Sequence, residues 1–313
     1  MIGATIQESS VAGHRALVLQ NRHLRAAILP ALGGRVWTLE DLARSRQWIW
    51  HRDGVPLVAH ATGASYDDVW AGGWEELFPN DAAGSFEGRD LPDHGGWWTM
   101  AFDAVTEADD RAARVRLTAR STFVKAECRK TFSLDHDGSA ITASYEIRSL
   151  EAQPFSFLFK QHLPVQISSS CRLALPGGRV EPVDPAFGTI LTKAGSFDWP
   201  GDADLRAIPP ASSAAREFVY VRDLPAAWCG VDDHEHGASL RMEYDSGAMP
   251  FVWFFLSYGG WRDVYTAVLE PCTNLPKDLA TAVRLGQSAV LDPGGVFATS
   301  VTVRLSALSD SKP

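Results

Sequence analysis

Apolar and polar residues alternate with period two along much of the chain. "ITASYEIRS" sets Ile141, Ala143, Tyr145 and Ile147 on one side, and "VTVRLSAL" does the same with Val301, Val303, Leu305 and Ala307. "RVRLTARSTFVKAECRKTFSL" reads as one long strand or two in succession, with Val115, Leu117 and Ala119 inward. Such alternation marks strands half buried in antiparallel sheets. Turn clusters separate them at 135–139 (DHDGS), 175–178 (LPGG), 245–250 (DSGAMP) and 292–295 (DPGG). Long helical periodicity is almost absent. "LPKDLATAVRLG" is the best helix candidate, with Pro276 in a first turn and Gly286 at the end.

About a dozen or more strands at short spacing predict an all-β chain, a sandwich or barrel rather than βαβ units. No linker stands out. The loop-like stretch from about 195 to 215 keeps Phe197, Trp199 and Leu205 as anchors, so residues 1–308 are expected to form one domain, with 309–313 as a tail.

Composition narrows the function classes. The net charge of −9, from 29 Lys plus Arg against 38 Asp plus Glu, disfavours a nucleic-acid partner. No run approaches 18 apolar residues and the N-terminus lacks a signal-like pattern, which predicts a cytoplasmic protein off the membrane. The four cysteines are each more than 40 residues from the next, which points to free thiols and not to a zinc or redox motif. Oligomeric state is not readable from the sequence.

Candidate chemistry clusters in a few segments. Eleven tryptophans is a high count, and several adjoin glycine or a carboxylate: Trp70 and Trp74 in "DVWAGGWEELFPND", Trp97 and Trp98 in "DHGGWW", and Trp261 in "YGGWRD". Flat aromatic faces with nearby carboxylates and amides make a sugar site, while the same residues also fill sandwich cores. Three ionisable residues sit where strands end: His94 after "PD", His162 in "FLFKQHLPVQIS" and Glu270 in "YTAVLEPC". A histidine and a glutamate meeting in one cleft form an acid/base pair. "GVDDHEHGASLRME" has metal-like composition, but its spacing fits no cupin pattern and a solvated turn is expected there. No metal or cofactor is expected. A glycosidase pairing of Glu270 with Glu75 or Glu76 requires a separation that sequence does not give.

In these segments the sequence resembles the galactose mutarotase-like (aldose 1-epimerase) family. The resemblance runs in order through "AAILPALGGRVWTLED", "GGWEELFPND", "HGGWW", "QHLPVQIS" and "LEPCTNLPKDLATAVRLGQSAVLDPGGVFATSVTVRL". It implies a β-supersandwich and interconversion of α and β anomers by acid/base ring opening. It further implies Glu270 as base on the anomeric hydroxyl, His162 as acid on the ring oxygen, and His94 orienting the sugar. Such chemistry requires two proton-transfer groups and no cofactor. Trp74, Glu75, Asn80, Trp97, Trp98 and Trp253 are the substrate-binding candidates, with Asn80 or Glu75 standing where typical members carry an Arg/Asn segment. Asp198 and Asp223 are the candidates for the family's intermediate aspartate. Arg35, Arg89 and Arg262 are the candidates for an anionic substituent on the carbohydrate. A non-catalytic carbohydrate-binding or regulatory sandwich is the alternative. The enzyme reading requires His94, His162 and Glu270 to converge within about 10 Å.

Overall fold

The computed structural model describes residues 3–121, 123–191 and 195–308; the expected tail at 309–313 lies outside them. Two large antiparallel sheets dominate. One runs in the spatial order Cys171–Ala174, Trp228–Asp233, Ala238–Tyr244, Val296–Ala307, Ala140–Ser149, Ala126–Asp135, Ala112–Ser121 and Asp103–Ala108. The other runs Phe197–Asp198, Arg179–Pro182, Ala215–Arg222, Phe251–Tyr258, Tyr265–Cys272, Lys160–Gln166 and Glu75–Leu77. A five-stranded N-terminal sheet spans Thr5 to Gln47.

Period-two alternation builds this arrangement. Ile141, Ala143, Tyr145 and Ile147 are all buried, as are Val301, Val303 and Leu305, whereas Ala307 at the strand end is exposed. The long 114–134 pattern resolves into two paired strands, Ala112–Ser121 and Ala126–Asp135. All four turn clusters fall between strands. The short helix is Leu279–Arg284, and it starts later than Pro276 implies. Asp278 caps it instead, its carboxylate accepting the Thr281 amide at 2.7 Å.

One apolar cluster is continuous across all three sheets, from Leu17 and Val36 through Phe132 and Ile147 to Leu163, Phe254 and Leu269. Leu205 is buried, and Phe197 and Trp199 pack against the same cluster, so the 195–215 excursion is anchored as its sequence predicts. All four cysteines are free and buried. Among the described residues no helix is long and apolar enough to cross a membrane.

Candidate active site

In the seven-stranded sheet, Leu163, Val165, Leu269, Val252 and Phe254 turn inward to the apolar cluster. Their alternates therefore turn to the opposite face. Strand register there aligns Glu75 with His162, and Glu270 with Trp253 and then Tyr220. Lys160 pairs with Cys272 and Leu163 with Leu269, so the same register sets His162 opposite Glu270. One row across the sheet thus carries an acid, a histidine, a second acid and a tryptophan. Lys160 lies two residues from His162 on the same strand face.

Above this row is a cavity of about 300 Å³, at the lower end of the range of small-molecule pockets. Lys160, His162, Trp253 and Glu270 form its floor, and Phe218 and Phe255 extend it. The one-turn helix Tyr66–Val69 and its cap residue supply one wall, with Tyr66, Asp67 and Trp70. Loops supply the rest: Asp81; Asp93 and His94; Asp184 and Phe187; Trp261; and Lys277.

Loop geometry aims His94 inward. His94 and Gly95 both take left-handed backbone, at φ +60° and +65°. A β-carbon on Gly95 would collide with the Phe78 carbonyl, so glycine is needed for this close approach. The His94 amide donates to Asp81 O at 2.6 Å and the Gly96 amide to Phe78 O at 2.9 Å. Asn80 Nδ2 donates to Pro92 O at 2.7 Å and Ala82 O at 2.9 Å, tying the two loop limbs together.

The polar groups interlock. The His94 ring stacks on Tyr66 with centroids 3.8 Å apart and lies 5.9 Å from the His162 ring. His94 Nδ1 is 3.1 Å from Asp93 Oδ1, an ion-pair contact outside hydrogen-bond angle. His162 Nδ1 is 3.3 Å from the Tyr66 hydroxyl, which also donates to Glu75. Glu75 is fully buried and pairs with Arg35 at 2.8 Å. Lys160 Nζ bridges Asp81 and Glu270, the latter at 3.1 Å, and sits 3.1 Å from the centre of the Trp253 ring.

Burial pushes the Glu270 carboxyl up from its ordinary pKa, with Lys160 opposing. Burial drives His162 well below the usual histidine value, helped by His94, Lys160 and Arg35. Burial also pulls on His94, but Asp93, Asp81 and Asp67 together outweigh it and raise its pKa. Lys160 is raised as well, because Asp81 and Glu270 overcome its burial.

Of the residues singled out by sequence, His94, His162, Glu270 and Trp253 line the cavity, as do Trp70 and Trp261 among the flagged tryptophans. The other five do not. Trp74 is fully buried and spends its indole N–H on Gln161 Oε1 at 2.9 Å. Trp97 is fully buried among Phe78, Phe102, Tyr145 and Phe159. Trp98 backs Tyr66 edge-on at 5.1 Å, one layer behind the wall. Glu75 and Asn80 are fully buried supports of His162 and the His94 loop. Glu76 is turned to the opposite face, paired with Lys130 at 2.6 Å.

The three candidate arginines are also engaged elsewhere: Arg35 with Glu75, Arg89 with Glu151 at 3.0 Å and Arg262 with Asp68 at 2.6 Å. Asp198 and Asp223 are surface partners of Arg179 and Arg222, whereas Asp184 lies on the cavity wall. The 230–243 segment forms the expected turn at 234–237, and its buried Asp233 is paired with Arg46 at 2.8 Å.

Sequence reasoning missed Tyr66, Asp81, Asp184, Lys160 and Lys277. Lys160 was discoverable, since period two sets it beside His162. Tyr66 comes from a four-residue helix too short to show a period, and the others reach the cavity through loop paths that carry no periodic signal.

No protein-family model and no curated protein matches the sequence. Solved structures do match. A galactose mutarotase-like protein from Clostridium acetobutylicum superposes with a TM-score of 0.74 at 13% identity, over 97% of this chain and 99% of that one. A proposed aldose 1-epimerase from Klebsiella pneumoniae subsp. pneumoniae gives 0.74 at 10% identity, over 96% and 83%. A galactose mutarotase related enzyme from Lactobacillus acidophilus gives 0.68 at 12% identity, over 94% and 98%. With the sheet order above, these likenesses establish that the chain has the galactose mutarotase-like β-sandwich fold.

Proposed function

We propose that the protein is an aldose 1-epimerase-like isomerase that interconverts the anomers of a free aldose. The observation that carries this reading is the meeting of His94, His162 and Glu270 on one monosaccharide-sized cavity walled by Trp70, Trp253 and Trp261. Ring opening needs a base at the C1 hydroxyl and an acid at the ring oxygen, on two sides of the anomeric centre. Glu270 is the base: its carboxyl is buried, shifted upward and, among the described residues, free of competing donors apart from Lys160. The histidine pair supplies the acid and an orienting contact. The aromatic rings offer flat apolar faces to the C–H faces of a pyranose.

The charge of the lining favours a neutral sugar. Asp67, Asp81, Asp93, Asp184 and Glu270 outnumber Lys160 and Lys277, and among the described residues no arginine lines the cavity. A phosphate or sulfonate group would meet net repulsion there. Four buried free thiols fit a reducing, cytoplasmic setting.

Saturation-transfer NMR across a panel of hexoses, pentoses and sugar phosphates tests the proposal. Enzyme-dependent anomer exchange on at least one neutral aldose supports it. Binding without exchange on every member would favour a carbohydrate-binding protein instead.

A further inference from the structure

The two cavity histidines differ in which ring nitrogens have partners. Among the described residues, the only hydrogen-bond contact of the His162 ring is Nδ1 to the Tyr66 hydroxyl, at 3.3 Å. A phenol has one proton to give, and Tyr66 is also hydrogen-bonded to Glu75 Oε1. The other Glu75 oxygen faces Arg35 at 2.8 Å. Burial raises the Glu75 carboxyl on balance, with Arg35 and the Tyr66 hydroxyl opposing, and what favours its ionised form is contact with that cation and that donor. Oε1 takes the Tyr66 hydroxyl, and Oε2 lies in ion-pair contact with the Arg35 guanidinium, outside hydrogen-bond angle. A cation on one oxygen and a donor on the other is how a carboxylate is held, and a carboxylate only accepts.

The Tyr66 proton is therefore committed to Glu75, and its oxygen has only lone pairs for His162. His162 Nδ1 must then carry the proton. Burial, with His94, Lys160 and Arg35, keeps this ring neutral, so its lone pair is on Nε2. Nε2 has no protein partner among the described residues, and His162 lines the cavity. What His162 offers a sugar is an acceptor.

His94 is the reverse case. Asp93, Asp81 and Asp67 face it and together outweigh its burial, with Glu75 and Glu270 beyond. An imidazolium is a donor at both nitrogens. With Nδ1 turned to Asp93, Nε2–H is the atom available to the cavity.

We propose that His94 is the proton donor to the ring oxygen, and that Tyr66 and Glu75 are positioning residues that hold His162 as a hydrogen-bond acceptor. This rests on the isomerase reading and reverses the two histidine roles that the family resemblance implies. The Glu270 carboxylate takes the C1 hydroxyl proton as the carbonyl forms. The C1–O5 bond breaks and its electron pair takes the proton from His94 Nε2. After rotation about C1–C2, closure returns the second proton to His94 and the first to the anomeric oxygen, leaving both groups as they began. His162 Nε2 accepts a hydrogen bond from a neighbouring sugar hydroxyl throughout.

The test is long-range ¹H–¹⁵N correlation on full-length protein labelled at histidine, at pH 7 without sugar, assigned with His94→Gln and His162→Gln. The expected spectrum shows His162 protonated at Nδ1 and bare at Nε2, with His94 protonated at both nitrogens. Tyr66→Phe is expected to abolish the Nδ1–H preference of His162; if that variant does not fold, the wild-type spectrum alone decides. A bare Nδ1 on His162, or a neutral His94, would overturn the proposal. In exchange kinetics, His94→Gln is expected to lose more than about 100-fold in kcat. His162→Gln keeps an acceptor oxygen and is expected to lose less than about tenfold; the opposite ranking also overturns the proposal. Because the tautomer readout needs no turnover, an inactive protein with the expected spectrum would sink only the isomerase reading.

Discussion

Lys160 Nζ lies 3.1 Å from Glu270 Oε2, and both side chains are buried on neighbouring strands of one sheet face. The same ammonium holds Asp81, so a single cation balances two carboxylates beneath the cavity. Replacing it with an apolar chain of similar length, Lys160→Met, leaves both acids uncompensated. The expected cost at pH 7 is about 3–5 kcal/mol, measured by urea unfolding. Glu270 would shift further upward. A carboxyl whose folded pKa exceeds its unfolded value binds the proton more tightly when folded, so the variant regains stability as pH falls through the folded value. A pH-independent loss would contradict the arrangement.

The pH dependence of kcat/KM follows from the same shifts. Glu270 must be ionised, and its pKa is raised by burial, so activity rises with pH from a midpoint above the ordinary carboxylate value of 4.5. His94 must be protonated, and Asp93, Asp81 and Asp67 raise its pKa against its burial, so activity falls through a midpoint above 6.5. His94→Gln should remove the basic limb from whatever activity remains.

Two buried tryptophans separate support from contact. Trp97 is sealed in the core, whereas Trp253 lies on the cavity floor under Lys160. Trp97→Phe is expected to cost about 1–3 kcal/mol in stability with KM unchanged. Trp253→Phe should raise KM for a neutral aldose several-fold.

How legible was this in the sequence? His94, His162 and Glu270 stood out because each interrupts an apolar pattern. His94 lies in a turn, but His162 and Glu270 lie inside the strands Lys160–Gln166 and Tyr265–Cys272 rather than at the strand ends the sequence suggested, since pairing carries Tyr265–Cys272 on through Pro271. The two share one sheet row. Trp70, Trp253 and Trp261 do line the cavity, but Trp74, Trp97 and Trp98 misled for a physical reason. A glycine beside a tryptophan reads the same whether it yields space to a ligand or to the protein. Here a β-carbon on Gly95 would strike the Phe78 carbonyl, and one on Gly96 would strike the Phe123 ring. The "DHGGWW" segment is thus one catalytic candidate on a tightly folded support, with both indoles turned into protein. Glu75 and Asn80 were placed in the right neighbourhood but one layer too far forward, because sequence does not distinguish a group that touches a ligand from one that holds its neighbour. Asp81 and Asp184 depend on loop paths set by distant packing.

The Gly95 approach gives its own prediction. Gly95→Ala would combine a strained φ of +65° with a backbone collision and is expected to destabilise by about 1–3 kcal/mol. Gly88→Ala has a similar φ of +74° with open space around it, so it should cost less. Thermal unfolding of the pair measures the collision apart from the strain.

The acidic lining predicts discrimination by charge. Neutral hexoses should exchange at least about tenfold faster, in kcat/KM, than their 6-phosphates at low ionic strength, with the gap narrowing as salt screens the cavity. Equal rates would show that the phosphate lies outside the field of Asp67, Asp93 and Asp184.

The central claim is that Glu270 moves a proton at the anomeric centre. Its most direct test is the anomer exchange rate of glucose and galactose by two-dimensional exchange NMR, with wild type and Glu270→Gln compared at equal concentration. The account predicts exchange well above the buffer rate for wild type, with a drop of about 100-fold or more in the folded variant. Exchange at the buffer rate in wild type on these and every other neutral aldose of the panel, or equal rates in the two proteins, would contradict it.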